Sequence, residues 1–338
     1  ALLNRLAGAM YDVKRHRCNV YVDGPILAAL GTTSERRRML CKTVLAWPGL
    51  GFRLAFHKAA WGTKGTPVTW TSAVYTLGHD CLVVVVKDTI IQAVREDVQK
   101  MLKSNVISIK SLRTLCGRLV CVASLLYIWR PFVDMMWAPL FKPKAAGSAP
   151  KGCMWESQVN VPLRWFQAFL DKHPEALQKE YSVAEFLGEG TRIRITLDAS
   201  VWGVGAYLEE DDVITEYICE PLNPYDLERF GLELGDSAGH QTWEALIALI
   251  ALRAWADKWQ DRRVVLAVRS DSVSALTTLL KFKNAGEGSS AIAREMALDV
   301  AESVYRPTVI AHIPGVCNVI SDALSRWHEP GKERRWPE

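Results

Sequence analysis

No C-x-x-C occurs in the 338 residues, and no histidine pair stands at zinc-ligand spacing, so a structural zinc module is excluded. Eight scattered cysteines (Cys18, Cys41, Cys81, Cys116, Cys121, Cys153, Cys219 and Cys317) then read as free thiols suited to an intracellular, reducing compartment. Long apolar runs are missing too. The longest, "ALIALIALRAWA" from Ala245, is shorter than a bilayer span and contains Arg253, so it reads as a core helix and no membrane association is expected. There is no basic segment leading into an apolar stretch and cleavage site. With Ala1 in place of Met, the expectation is a piece of a longer polyprotein. Internal repeats and low-complexity tracts are absent as well.

What is there is a folded composition, 49% hydrophobic and 23% charged, with an uneven charge distribution beneath a net +4. Residues 1–150 carry 21 Lys and Arg against 8 Asp and Glu, whereas the remainder carries 20 against 29. A basic half beside an acidic half suggests a polyanion held by one part and metal-binding acids in the other; solvated charged faces give the same split. Arg36, Arg37, Arg38, Lys58, Arg113 and Arg118 are the candidate nucleic-acid contacts. Most of the 13 tryptophans are expected in the core, with base stacking as the alternative.

Periodicity predicts a helix over 35–46 behind Thr33 and Ser34, a strand ending at Lys58, strands in "PVTWTSAVYTL" and "CLVVVV", and a helix over 87–104. A second helix follows, with its apolar stripe at Leu112, Leu115, Cys116, Leu119, Val122, Ala123 and Leu126. Residues 142–152, "KPKAAGSAPKG", read as a linker, followed by a helical segment around "LRWFQAFL". From Arg192 the order is βββαβααβα, a mixed sheet with helices on its faces.

Four acids stand out in that part. Asp198 ends the first strand, Glu244 lies on the long apolar helix, Asp271 ends the fourth strand, and Asp322 lies on the last helix. Taken singly, Asp271 reads as a helix cap, Asp198 as a turn residue and Asp322 as a surface acid. Together they form a cluster that only cations make cheap, and two Mg²⁺ ions would supply phosphodiester chemistry there.

"ITLDASVWGVGAYL", "WEALIAL", "VRSDSVSAL" and "HIPGVCNVISDALSR" resemble, in order and spacing, the four carboxylate motifs of retroelement ribonuclease H domains, over about 191–328. The resemblance implies a five-stranded ribonuclease H-like sheet and a cut in the RNA of an RNA/DNA hybrid. It also implies Asp198, Glu244, Asp271 and Asp322 as ligands of two Mg²⁺, with Mn²⁺ as substitute. Asn318 and Ser325 take structural roles, and His312 is expected as a core or edge histidine rather than a catalytic helper. Upstream, "YVDGPI" resembles a reverse transcriptase palm motif in which a second aspartate follows the first. Here Gly24 follows Asp23, and no room remains before it for the other palm motif. "GFRLAFHK", "VTWTSAVYTL" and "SLRTLCGRLVCVASLLYIWRPF" resemble the following palm, primer-grip and thumb segments, with Ser72 where the family has glycine.

The expectation is therefore a fragment of an LTR-type or tyrosine-recombinase retrotransposon polyprotein. It comprises a truncated, polymerase-dead palm remnant (1–80), a thumb-like helical region (81–141), a linker and connection (142–190), a ribonuclease H-like domain (191–328) and a polar tail (329–338). The alternative is a domesticated, non-catalytic nucleic-acid-binding or architectural subunit of a larger ribonucleoprotein.

Overall fold

The computed structural model describes residues 15–21, 24–51, 53–141, 149–172, 177–283, 286–307 and 309–334. The chain divides between Lys87 and Asp88 into two units. In the first, β1 (His16–Tyr21) pairs antiparallel with β2 (Gly24–Ala29). The predicted helix is α1 (Thr33–Gly49), capped one residue earlier than expected: Thr32 accepts from the Glu35 N–H while the Glu35 carboxylate returns the bond, a reciprocal pair open only to the residue three before a glutamate. The strand expected to end at Lys58 is instead a 3-10 turn, Phe56–Lys58. Its backbone is satisfied locally, Lys58 N–H donating to Ala55 and Ala59 N–H to Phe56, so apolar alternation alone does not make it extended. β3 (Val68–Trp70), β4 (Ala73–Leu77) and β5 (Cys81–Val86) form an antiparallel meander.

The second unit begins with a helical layer: α2 (Asp88–Leu102), α3 (Ile109–Ala123), α4 (Arg130–Phe141) and α5 (Asn160–Lys172). The short strands β6 (Val106–Ser108) and β7 (Cys153–Trp155) pair between them. The stripe predicted from Leu112 to Leu126 is buried throughout. It meets an aromatic cluster in which the Trp129 ring lies 5.2 Å from Phe166 and 5.9 Å from Phe169, so Trp129 serves the core. Trp61, in the first unit, is 72% exposed. The strand β8 (Gln178–Ser182) and the single-turn helix α6 (Val183–Leu187) lead into the sheet.

That sheet has five strands in the order β11-β10-β9-β12-β13, built from β9 (Thr191–Ala199), β10 (Gly203–Glu210), β11 (Val213–Pro221), β12 (Val264–Ser270) and β13 (Val309–His312). The first three are an antiparallel meander; β12 and β13 run parallel to β9. With helices packed against it, this is a ribonuclease H-like fold preceded by an α+β region. Ile193, Ile195 and Leu197 make β9 the buried centre. One helix escaped the predicted order, α7 (Pro224–Phe230), whose Asn223–Asp226 capping box, Pro224 at its start and Gly231 at its end enclose too few residues for a period to register. The remaining helices are α8 (His240–Ala254), α9 (Val273–Lys281), α10 (Glu287–Ala301) and α11 (Val319–Ser325).

Two glycines of β10 set how closely α11 can lie. A Cβ on Gly205 would stand 2.5 Å from the Ser325 nitrogen and 2.6 Å from the Ser321 oxygen, and one on Gly203 would stand 2.9 Å from the Ser325 oxygen. These are backbone atoms and cannot swing aside. Gly205→Ala is therefore expected to push α11 off the sheet and cost about 1–3 kcal/mol, read as a lowered denaturation midpoint; an unchanged midpoint would show that the helix yields freely.

Candidate metal centre

The register of β9 against β12 does most of the assembly. Leu197 is paired with Ser270, so Asp198 and Asp271, each one residue further along, emerge side by side where two parallel strands end. Glu244 comes from the second turn of α8, which packs on β9 and β10. One carboxylate oxygen from each of Asp198, Glu244 and Asp271 lies within 4.8 Å of the others. Asp198 and Glu244 are 6% and 3% exposed. Such a group can hold a divalent cation.

The last helix supports the cluster from outside. Asn318, its buried cap residue, donates its side-chain amide to the Leu197 carbonyl (3.1 Å), Asp198 Oδ1 (3.3 Å) and Asp271 Oδ1 (3.2 Å). Ser321 donates to Asn318 Oδ1 and so orients that amide. Ser325 donates to Asp198 Oδ2. Both residues of the G-x-x-N-x-x-x-D-x-L-S-R ending that were given structural roles thus touch the acids. Asp322 lies outside the three-acid group: its carboxylate accepts from Arg326 Nε at 2.6 Å on the part-exposed side of α11.

Burial dominates the electrostatics. It pushes Asp198 up to about 7, against the Ser325 hydrogen bond and with help from the charges of Asp271 and Asp322. It pushes Glu244 up to about 9, with Asp198 and Asp271 adding and a main-chain hydrogen bond at Ala199 opposing. Two ionised carboxylates ~4 Å apart repel by roughly 4 kcal/mol at an effective dielectric of 20. A divalent ion removes that repulsion and displaces the protons. Glu244 Oε2 tests the fit: it is buried and has no hydrogen-bond partner, a vacant lone pair inside the cluster that oxygen-seeking Mg²⁺ would satisfy.

Two histidines border the group. His312 ends the edge strand β13, exposed, with Nε2 3.1 Å from the Asp271 carbonyl oxygen. His240, overlooked in the sequence, places Nε2 3.4 Å from Glu244 Oε1 with half its side chain exposed. Its signal was there, since positions i and i+4 of a helix share a face.

The expected nucleic-acid contacts are spread over both units. Arg36, Arg37, Arg38 and Lys58 are exposed in the first, and Arg113 is exposed on α3 in the second. Arg118 is ion-paired with Asp97. Gly24 opens β2, and Asp23 lies outside the described residues. No described helix is long and apolar enough to cross a membrane.

No family model matches the chain, and no curated protein matches its sequence. Among solved structures, the RNase H1 of the halophilic archaeon Halobacterium salinarum NRC-1 is 19% identical with a TM-score of 0.30, covering 40% of this chain and 96% of its own. LC11-RNase H1, isolated from compost by a metagenomic approach, is 20% identical with a TM-score of 0.28, covering 40% of this chain and 91% of its own. A foamy viral protease-reverse transcriptase in complex with double-stranded DNA is 14% identical with a TM-score of 0.37 over 88% of this chain. This chain spans 46% of that viral one. At such identities and scores the likeness says nothing of activity.

Proposed function

We propose that the chain hydrolyses the RNA strand of RNA/DNA hybrids at the Asp198–Glu244–Asp271 cluster, with Asp322 as the fourth acid. The observation that carries the reading is the convergence of those three acids within 4.8 Å where β9 and β12 end. Asp198, Asp271 and Glu244 would hold Mg²⁺, or Mn²⁺ in its place, with Glu244 offering its unsatisfied oxygen, and Asp322 would join from the part-exposed side. Bound there, such ions would generate a hydroxide nucleophile near neutral pH and stabilise the leaving oxygen. The chain's own part is orientation. Asn318 and Ser325 fix both aspartates, and Asp198 and Glu244 are themselves buried. The substrate would be read by its A-like shape and 2′-hydroxyls rather than by its bases.

In this reading residues 1–80 are a palm remnant that adds no nucleotides, 81–141 and 142–190 are the thumb-like and connection segments, 191–328 is the nuclease and 329–338 a tail. Primer extension by these 338 residues is expected to be nil, for the given sequence and for Gly24→Asp alike, because nucleotide addition needs two metals held by acids from two palm motifs and residues 19–26 supply one of them. Template-dependent incorporation would sink the palm-remnant assignment. The nuclease itself is tested with an end-labelled hybrid in Mg²⁺ or EDTA. Cleavage of the RNA strand in Mg²⁺ alone is expected; binding without cleavage would instead favour the non-catalytic subunit of a ribonucleoprotein.

A further inference from the structure

We propose that Arg130 and Lys179, gathered at the Tyr127 ring, and Arg306 beside Lys179 form a second, non-catalytic site that binds the phosphodiester backbone of a nucleic acid strand. Tyr127 sits in the 3-10 turn Tyr127–Trp129 that precedes α4. Arg130 Cζ lies 3.8 Å from its ring centroid, and Lys179 Nζ lies 4.6 Å from that centroid and 5.1 Å from the ring of Tyr181. Arg306 donates to the main-chain oxygen of Glu180, which places it against the residue next to Lys179. Arg130 is anchored on main chain, donating to the carbonyls of Ala123 (3.1 Å) and Lys281 (3.2 Å).

Three cations thus converge, and the acid that feels one of them is Asp134, a turn along α4 from Arg130. Elsewhere in this unit Arg192, Arg194, Arg253, Arg262 and Arg326 are each paired with a carboxylate. Among the described residues neither Arg130, Lys179 nor Arg306 makes such a pair. Burial, then the charges of Arg306 and Arg130, hold the Lys179 ammonium below the usual lysine range. An anion seated among the three would relieve both effects. Arginine forks and an ammonium suit phosphate oxygens.

The topology separates this cluster from the acids. Asp271 follows the C-terminal end of β12, whereas Arg306 precedes β13, its parallel neighbour, and Lys281 ends the helix that runs back from Asp271. β13 pairs with β12 from Val309 beside Ala267 to His312 beside Ser270, so four residues, roughly 13 Å at about 3.3 Å per residue, separate the start of β13 from the level of Asp271. A strand held here would therefore be held away from the point of cleavage. The choice of nucleic acid as the phosphate source rests on the nuclease reading.

The test uses the full chain and a fluorescein-labelled single-stranded oligothymidylate in EDTA, a probe that needs neither metal nor hybrid. Anisotropy titrations over a range of salt are expected to give salt-dependent binding by the natural chain. Lys179→Gln and Arg306→Gln should each weaken it several-fold and flatten the slope of log K against log salt by about 0.7, while Lys179→Arg keeps the slope. Unchanged melting of the Gln variants would exclude misfolding as the cause. Equal affinity and slope in both Gln variants, or a natural chain that cleaves hybrids yet ignores the oligonucleotide, would overturn the proposal. Oligonucleotide binding lost in the variants, from a chain that cleaves no hybrid, would support the site and overturn the nuclease reading instead.

Discussion

Asp271→Asn is expected to reduce Mg²⁺-dependent hybrid cleavage by about 10³-fold or more, well beyond the roughly 10–100-fold of a residue that only orients a metal ligand. The size follows from where the residue stands. Removing a group that only orients a metal ligand typically costs about 10–100-fold, and that is the loss expected for Ser325→Ala, which frees Asp198 Oδ2 without removing it. Asp271 is itself one of the three convergent acids, next to Asp198 in register, so its loss removes charge from the cluster. The Asn variant keeps shape and can still meet the Asn318 amide, so the fold should survive. Cleavage rates across a Mg²⁺ titration separate the cases. Ser325→Ala should shift the metal midpoint upward and approach the natural rate at high Mg²⁺, whereas Asp271→Asn should stay low at every concentration. Comparable rates for natural and Asp271→Asn protein would end the metal-centre assignment.

In metal-free protein, Glu244→Gln is expected to raise the melting temperature at pH 8 and change little at pH 4. Both buried acids have folded-state pKa values raised above their ordinary values near 4, Asp198 to about 7 and Glu244 to about 9. A raised carboxyl favours the folded state fully only while it keeps its proton below pH 4. That contribution is lost as the pH climbs through 7 and 9, because ionising the groups inside the fold costs more than ionising them in the unfolded chain. The natural protein should therefore melt progressively lower between pH 5 and 9, and the Gln variant less so. Mg²⁺ should reverse the trend at pH 8: a ligand at ~100 times its Kd stabilises by about 2.7 kcal/mol, or roughly 5–10 °C for a unit of this size. In Glu244→Gln the Mg²⁺ response should shrink. Calorimetry at pH 4, 6 and 8 with and without Mg²⁺ checks each sign; a flat pH profile for the natural chain would mean that the acids reach water more freely than their burial implies.

Much of this was readable in the sequence, for identifiable reasons. The stripe from Leu112 to Leu126 and the strands around Asp198 and Asp271 follow from local periodicity, because a helix or strand with one apolar face has a single way to bury it. The Phe56–Lys58 segment shows where alternation misleads, since hydrogen bonds made locally satisfied its backbone without a partner strand. The short α7 was missed because its caps, not its period, define it.

By itself the sequence determined which acids were available, on which elements they would lie, and that a second aspartate was missing after Asp23. Only the tertiary structure decided which of them meet. The one-residue register between Leu197 and Ser270 sets Asp198 beside Asp271, the packing of α8 brings in Glu244, and the missing side chains of Gly203 and Gly205 let α11 close over them. That same approach turned Asn318 and Ser325 toward the aspartates while leaving Asp322 with Arg326. Contacts between residues more than a hundred positions apart depend on how whole elements pack, and no periodicity within any one of those elements encodes it.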